Sequence, residues 1–235
     1  MNANQTAVEP DNITCLRVIS RSGRVDVFAE GREDFLLAGE HTIAEVIDGT
    51  LVVSSDHGSS TIGVRCPLGT NMIIGTGSGR IAVSGHVGDI RATSASGTVL
   101  VESARAADLR SESGNVSIGT CGDRCRVQTA SGSVQAGSLA TAEVATLSGK
   151  VSVANASGAA RVRTATGQVD LATNGESDVA IETMSGAVTV RLPAGTRPAA
   201  SLYAVKGDTS CELSSGTDCK VAVRSMNGKI KVVCA

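Results

Sequence analysis

The sequence predicts an all-β fold: a single-domain parallel β-solenoid, right-handed and β-helix-like, with rungs of about 17–21 residues. Three observations carry that prediction. A Ser-Gly or Thr-Gly pair recurs at Gly79, Gly97, Gly114, Gly132, Gly149, Gly167 and Gly186, at intervals of 18, 17, 18, 17, 18 and 19 residues. Apolar residues alternate on both sides of each glycine. The chain has 1% aromatic residues and no Trp, which suits a thin interior filled with Val, Ile, Ala and Thr.

The columns justify each strand in turn. Two residues after the glycines stand Ile81, Val99, Val116, Val134, Val151, Val169 and Val188, and four after them Val83, Val101, Ile118, Ala136, Val153, Leu171 and Val190. A period of two puts these on one strand face, and their uniform apolarity puts that face inside. A second strand precedes each glycine, with triads such as Ala142-Val144-Thr146, Ala160-Val162-Thr164 and Val179-Ile181-Thr183. The glycine is expected where every rung turns, because only it accepts positive φ without strain. The Ser/Thr column just before it is expected to stack hydroxyls and help satisfy the turn. Parallel stacking with short crossovers favours right-handed coiling.

Along the chain, residues 1–12 read as a disordered tail and 13–235 as one solenoid domain. Within it, 13–77 form irregular N-terminal cap rungs, where wider glycine spacing implies long loops or antiparallel pieces. Residues 78–186 are the regular rungs, and 187–235 are longer C-terminal rungs turning at Gly207 and Gly228. Pro193 and Pro198 fit a loop better than a central strand. The final strand, KIKVV, is expected to leave a bare edge at the end of the stack.

The phased SG-x-V-x-V strands, the VRCPLGTNMII segment (64–74) and the VRLPAGTRP segment (190–198) resemble the bacterial putative-adhesin β-strand-repeat family, a domain of unknown function. The resemblance covers roughly residues 13–235. It implies a β-solenoid fold and supplies no catalytic residues. Many relatives look tethered or exported, and this sequence departs from them in showing no tether.

Composition excludes several classes of function. A net charge of −2 gives no electrostatic footprint for nucleic acid or an anionic membrane. The first residues, MNANQTAVEPDN, carry neither a basic nor an apolar signal region, and no apolar run is long enough for a membrane helix. The default expectation is a cytoplasmic location without membrane insertion, with leaderless export left open. The seven cysteines form no disulfide framework. Cys121 and Cys125 are a close pair, read as small core residues like Cys211 rather than a redox or metal clip.

Among the three histidines, His57 lies beside Asp56 and His86 three residues before Asp89, without a third partner for a catalytic set. Outward charges at Arg91, Arg110, Glu112, Arg126, Glu143, Arg161, Arg163, Asp170 and Glu182 alternate in sign, as a solvated face does. No calcium repeat, phosphate loop, metal motif or cofactor motif is present. No enzyme is expected, and neither catalytic, cofactor-binding nor metal-binding residues are assigned.

One outward column stands apart. Two residues before the turn glycines lie Ala95, Glu112, Ala130, Leu147, Ala165, Met184, Val205 and Met226, increasingly apolar toward the C-terminus. Leu147, Met184, Val205 and Met226 form the candidate interaction surface; the alternative is that these side chains tuck against the edge. The expected function is a non-enzymatic, adhesin-like scaffold that binds a protein partner or another copy of itself. The alternatives are a surface adhesin or polysaccharide-directed β-helix enzyme, whose glycan ligand no residue pattern supports, and a filament-forming cytoskeletal solenoid.

Overall fold

The computed structural model describes residues 5–8, 13–39, 41–55 and 60–235. Strands dominate, and among the described residues no helix is long and apolar enough to cross a membrane. Packing divides the chain into two compact units, residues 1–119 and 120–235, where the sequence offers one domain without a shift of composition. A repeat array makes chiefly nearest-neighbour contacts, so a division by packing needs no linker in the sequence.

The first unit contains β1 (Gln5–Val8), β2 (Cys15–Glu30), β3 (Phe35–Ala38), β4 (Thr42–Ile47), β5 (Thr50–Ser55), β6 (Ser60–Pro67), β7 (Asn71–Ser96) and β8 (Val99–Ser113); the division falls within β9 (Val116–Ser131). Two strands, β2 and β7, run through their turn glycines, Gly23 and Gly79, without a break. β2 thus presents one face before Gly23 and another after it. The rungs do not stack in chain order. β2 lies between β7 on one side and the β5–β6 rung on the other, all parallel, with Leu16 level with Leu51 and Met72, and Val25 level with Ile62 and Ile81.

The β5–β6 rung is then covered by antiparallel strands. β4 pairs with β5 through a hairpin turning at Asp48-Gly49, and β3 pairs with β6. Both turn residues have positive φ, 46° and 70°, the backbone of a type I′ hairpin. β1 in turn pairs antiparallel with β3, Val8 opposite Phe35. Residues 5–8 are therefore a strand, not part of a disordered tail. Four residues held at an edge by backbone bonds give no periodic signal in sequence; the rest of the expected tail, 1–4 and 9–12, lies outside the described residues.

The second unit contains β10 (Val134–Ser148), β11 (Val151–Ala156), β12 (Ala160–Thr166), β13 (Val169–Thr173), β14 (Val179–Ser185), β15 (Val188–Leu192), β16 (Ala199–Lys206), β17 (Thr209–Cys211), β18 (Lys220–Asn227) and β19 (Ile230–Cys234). Two parallel ladders build it. One runs from the second half of β10 through β12, β14 and β18 to β16; the other from the first half of β10 through β11, β13, β15 and β19 to β17. Here too chain order is broken. The last strands in sequence, β18 and β19, lie inside the stack, and β16–β17 form its outer rung. The expected bare edge at KIKVV is thus corrected: Val232 pairs between Val190 and Cys211. The proline segment 193–198 is a loop that lets the chain pass over one rung before β16 begins.

Every residue of the two inner columns from Ile81 to Val190 is buried. Each buried Val contributes about 1.5–3 kcal/mol relative to leaving it exposed. The turn glycines stack directly. At Gly167, φ is 145° and an added Cβ would overlap the carbonyl oxygen of Gly149. Steric exclusion by the neighbouring rung, as much as φ, reserves the column for glycine. The hydroxyl that satisfies the turn is three residues before the glycine rather than adjacent to it. Thr146 Oγ1 donates to Ser148 O at 3.3 Å, and Thr164 and Thr183 repeat the bond at 3.3 Å. The adjacent hydroxyls stack in part, with Ser148 Oγ 3.4 Å from Ser131 Oγ.

Candidate interaction surface

In the second unit the outward column becomes a continuous ladder. The register that sets Thr146 beside Thr164 and Ser148 beside Thr166 places Leu147 beside Ala165. The same reading places Ala165 beside Met184, Met184 beside Met226, and Met226 beside Val205. The four candidate residues are therefore brought together, with Ala165 in the second position and Met226 between Met184 and Val205. All four point outward, Leu147 exposed at 64%, Met184 at 57%, Met226 at 56% and Val205 at 58%. They do not tuck against the edge.

The strand periodicity that turns these side chains out also builds their surroundings. Two residues earlier on each strand, the parallel row reads Ala145, Arg163, Glu182, Arg224 and Tyr203. Arg163 Nε and Glu182 Oε2 pair at 3.2 Å. On the turn side the row is Ser148, Thr166, Ser185, Asn227 and Lys206. An apolar strip is thus framed by polar rows, as in a binding patch with a wet rim. Tyr203, the single tyrosine of the chain, is 62% exposed beside Val205 and extends the patch at the outer rung. The sequence signal for it was its own column: two residues before Val205 on an outward strand face. In the first unit the equivalent column reads Arg21, Gly77, Ala95 and Glu112, with no apolar ladder.

Most of the outward charges are engaged with one another. Arg105 pairs with Asp89 at 2.6 Å, Arg110 with Asp108 at 3.2 Å, Arg124 with Glu143 at 2.9 Å and Arg191 with Asp170 at 2.7 Å. The hydrogen bond from Arg124, with Arg126 and Arg161 nearby, holds the Glu143 carboxyl below its usual range. That direction keeps it ionised, the reverse of a general acid. His86 Nδ1 lies 2.9 Å from Ser103 Oγ, and Asp89 faces Arg105, so the two do not form a dyad. His57 and Asp56 lie outside the described residues.

Cys121 and Cys125 are both buried, and the Cys121 thiol together with burial pushes the Cys125 thiol far upward. Cys211 shares the inward column with Val232, but it is exposed because no rung among the described residues covers it. Among the described residues, no three His, Cys, Asp or Glu side chains gather as for a metal ion.

The profile of the Toastrack DUF4097 family matches residues 40–232, and the chain belongs to that family. No curated protein matches the chain. Solved structures of putative adhesins are similar over nearly their whole length. A putative adhesin from Parabacteroides merdae shares 11% identity at a TM-score of 0.46, covering 96% of this chain and 95% of that one. One from Parabacteroides distasonis shares 12% at 0.44, covering 100% and 97%. One from Bacteroides fragilis shares 13% at 0.39, covering 98% and 97%.

Proposed function

We propose that this member of the Toastrack DUF4097 family is a non-enzymatic, adhesin-like scaffold that binds a protein partner or a second copy of itself through the outward ladder of its second unit. The observation that supports this is the ladder itself. Four large apolar side chains stand exposed along one column of five stacked rungs, Met184, Met226 and Val205 in successive rungs and Leu147 beyond the small Ala165. A flat row of this kind matches an apolar row on another β surface. Of the flanking charges, Arg163 and Glu182 already pair along the sheet, so at that point of the ladder side-chain packing is the contact that a partner would add.

The test is Met184→Asp and Met226→Asp, singly and together, followed by light scattering coupled to size exclusion over a concentration series. Both side chains are exposed, so circular dichroism should be unchanged. Self-association weakened at least tenfold by either charge supports the reading. A mass that stays monomeric at high concentration and ignores both substitutions removes the self-association form and leaves only the partner-binding form.

A further inference from the structure

We propose that the free edge of β16 is a docking site for the same edge of a second copy of this chain, joined antiparallel across a two-fold axis. This rests on the reading of the protein as a binding scaffold, but it uses a different surface from the ladder.

Among the described residues, β18 is the one strand that pairs with β16, and β19 the one that pairs with β17. The other edge of this rung is therefore open. Ala199 N–H donates back to Cys219 O at 2.8 Å, so strand alternation turns the N–H and C=O groups of Ala200, Leu202 and Ala204 toward the open side. Their side chains occupy the inward columns, level with Val221, Val223 and Ser225, yet Ala200 is exposed and Leu202 and Ala204 are only half-buried. Cys211 on β17 is exposed in the same way above buried Val232. The rung thus leaves both its backbone groups and its core side chains uncovered. Such an edge is a template for strand addition.

Three features select a second copy. The first unit shows what covers an outer rung in this protein: antiparallel strands, β4 on β5 and β3 on β6, beneath which Leu51, Val53, Ile62 and Val64 are fully buried. The charge on β16 is the second. Lys206, at its end, is its one charged residue, so antiparallel pairing places the two lysines at opposite ends, whereas parallel pairing would set them side by side. Symmetry is the third. A two-fold axis running across the rung from β16 to β17 reverses both strands at once and keeps inward columns facing inward. With Leu202 on the axis, Ala200 meets Ala204 of the other copy, and the open N–H and C=O groups of all three residues find partners.

The experiment uses the whole chain. Sedimentation and light scattering over a concentration series should show a mass that stops at two copies. Ala204→Pro and Ala200→Pro remove a donor from the open side without touching the bonds to β18, a place where an edge strand tolerates proline. Each should raise the dimer dissociation constant at least tenfold. Thermal melting of the dilute variants is measured beside it, and a melt matching the dilute wild type shows that the loss is not unfolding. Alkylation of Cys211 should slow at concentrations where wild type is dimeric and stay fast in the proline variants.

A wild type that remains monomeric overturns the proposal, as does a dimer that both prolines leave intact. A dimer lost on Met184→Asp but kept by the prolines means that copies meet through the ladder, which overturns the edge while the scaffold reading stands. The reverse pattern supports the edge and overturns self-association through the ladder. Masses that grow beyond two copies mean that the edge meets a different edge, which also overturns the two-fold arrangement.

Discussion

The outer rung of the first unit, β5–β6, and the outer rung of the second, β16–β17, are built on the same columns and end in opposite states. In the first, the antiparallel strands β3 and β4, which precede the rung in the chain, close over it, and Ile62, Val64 and Cys66 are buried at 0% exposure. In the second, nothing described lies over the rung, and the equivalent inward positions are exposed or half-buried. Burial in a repeat protein is therefore a property of what stacks on a residue, not of the column it occupies. A terminal repeat needs a different partner from an internal one.

The largest way to break this contrast is to remove the cover. Phe35 on β3 is 2% exposed, and Phe35→Ala should cost the first unit about 3–5 kcal/mol. Hydrogen exchange should then show the β5–β6 amides speeding toward the rate of β16–β17, the rung expected to exchange faster in the dilute wild type. If β5–β6 already exchanges as fast as β16–β17, the two ends do not differ in the way described.

A smaller effect sharpens the comparison. A Cβ at Gly79 would overlap Gly23 O, and one at Gly207 would overlap Gly228 O. Gly79 is hemmed in on its own sheet, so Gly79→Ala should cost about 3 kcal/mol or more. Gly207 belongs to the open rung, which can lift away, so Gly207→Ala should cost only about 1 kcal/mol. Denaturant melts of the two variants compare them directly, and equal losses would contradict the difference.

The smallest effect is chemical and leaves stability alone. Burial pushes the Cys66 thiol up to about 11, whereas Cys211 in the other outer rung is exposed. A thiol whose folded value is raised stays protonated below the unfolded value, and its contribution to stability is lost only as the pH climbs through the folded one. At pH 8, alkylation followed by peptide mapping of the dilute protein should therefore modify Cys211 rapidly and spare Cys66 until unfolding. Equal labelling would show that the first unit's rung is not closed.

Much of the rung was legible from residues alone. The inner columns from Ile81 to Val190 are all buried, the glycines take the turns, and the outward ladder residues are exposed. The Asp48-Gly49 hairpin carried a readable signal too, since that dipeptide between alternating apolar residues favours a type I′ turn. Two expectations failed for one reason. The last strand takes the edge and Cys211 a place in the core only if stacking follows chain order, and it does not. The scarcity of aromatics speaks only to the core, so it does not mark Tyr203 as a surface residue; the outward column does.

The sequence by itself determined the repeating unit: where it turns, which side chains face in, and which face out. Those are local consequences of strand alternation and of a backbone position that excludes a Cβ. Only the tertiary structure decided the order of the rungs, Gly186 below Gly228 below Gly207, and β2 between β7 and β5–β6. Every rung offers its neighbours nearly the same columns, so local pattern makes many stacking orders acceptable. The choice is made by loops such as 193–198 that let the chain pass over a rung, and by non-local pairing. That choice places Val205 and Tyr203, rather than the chain's last strand, on the open rung.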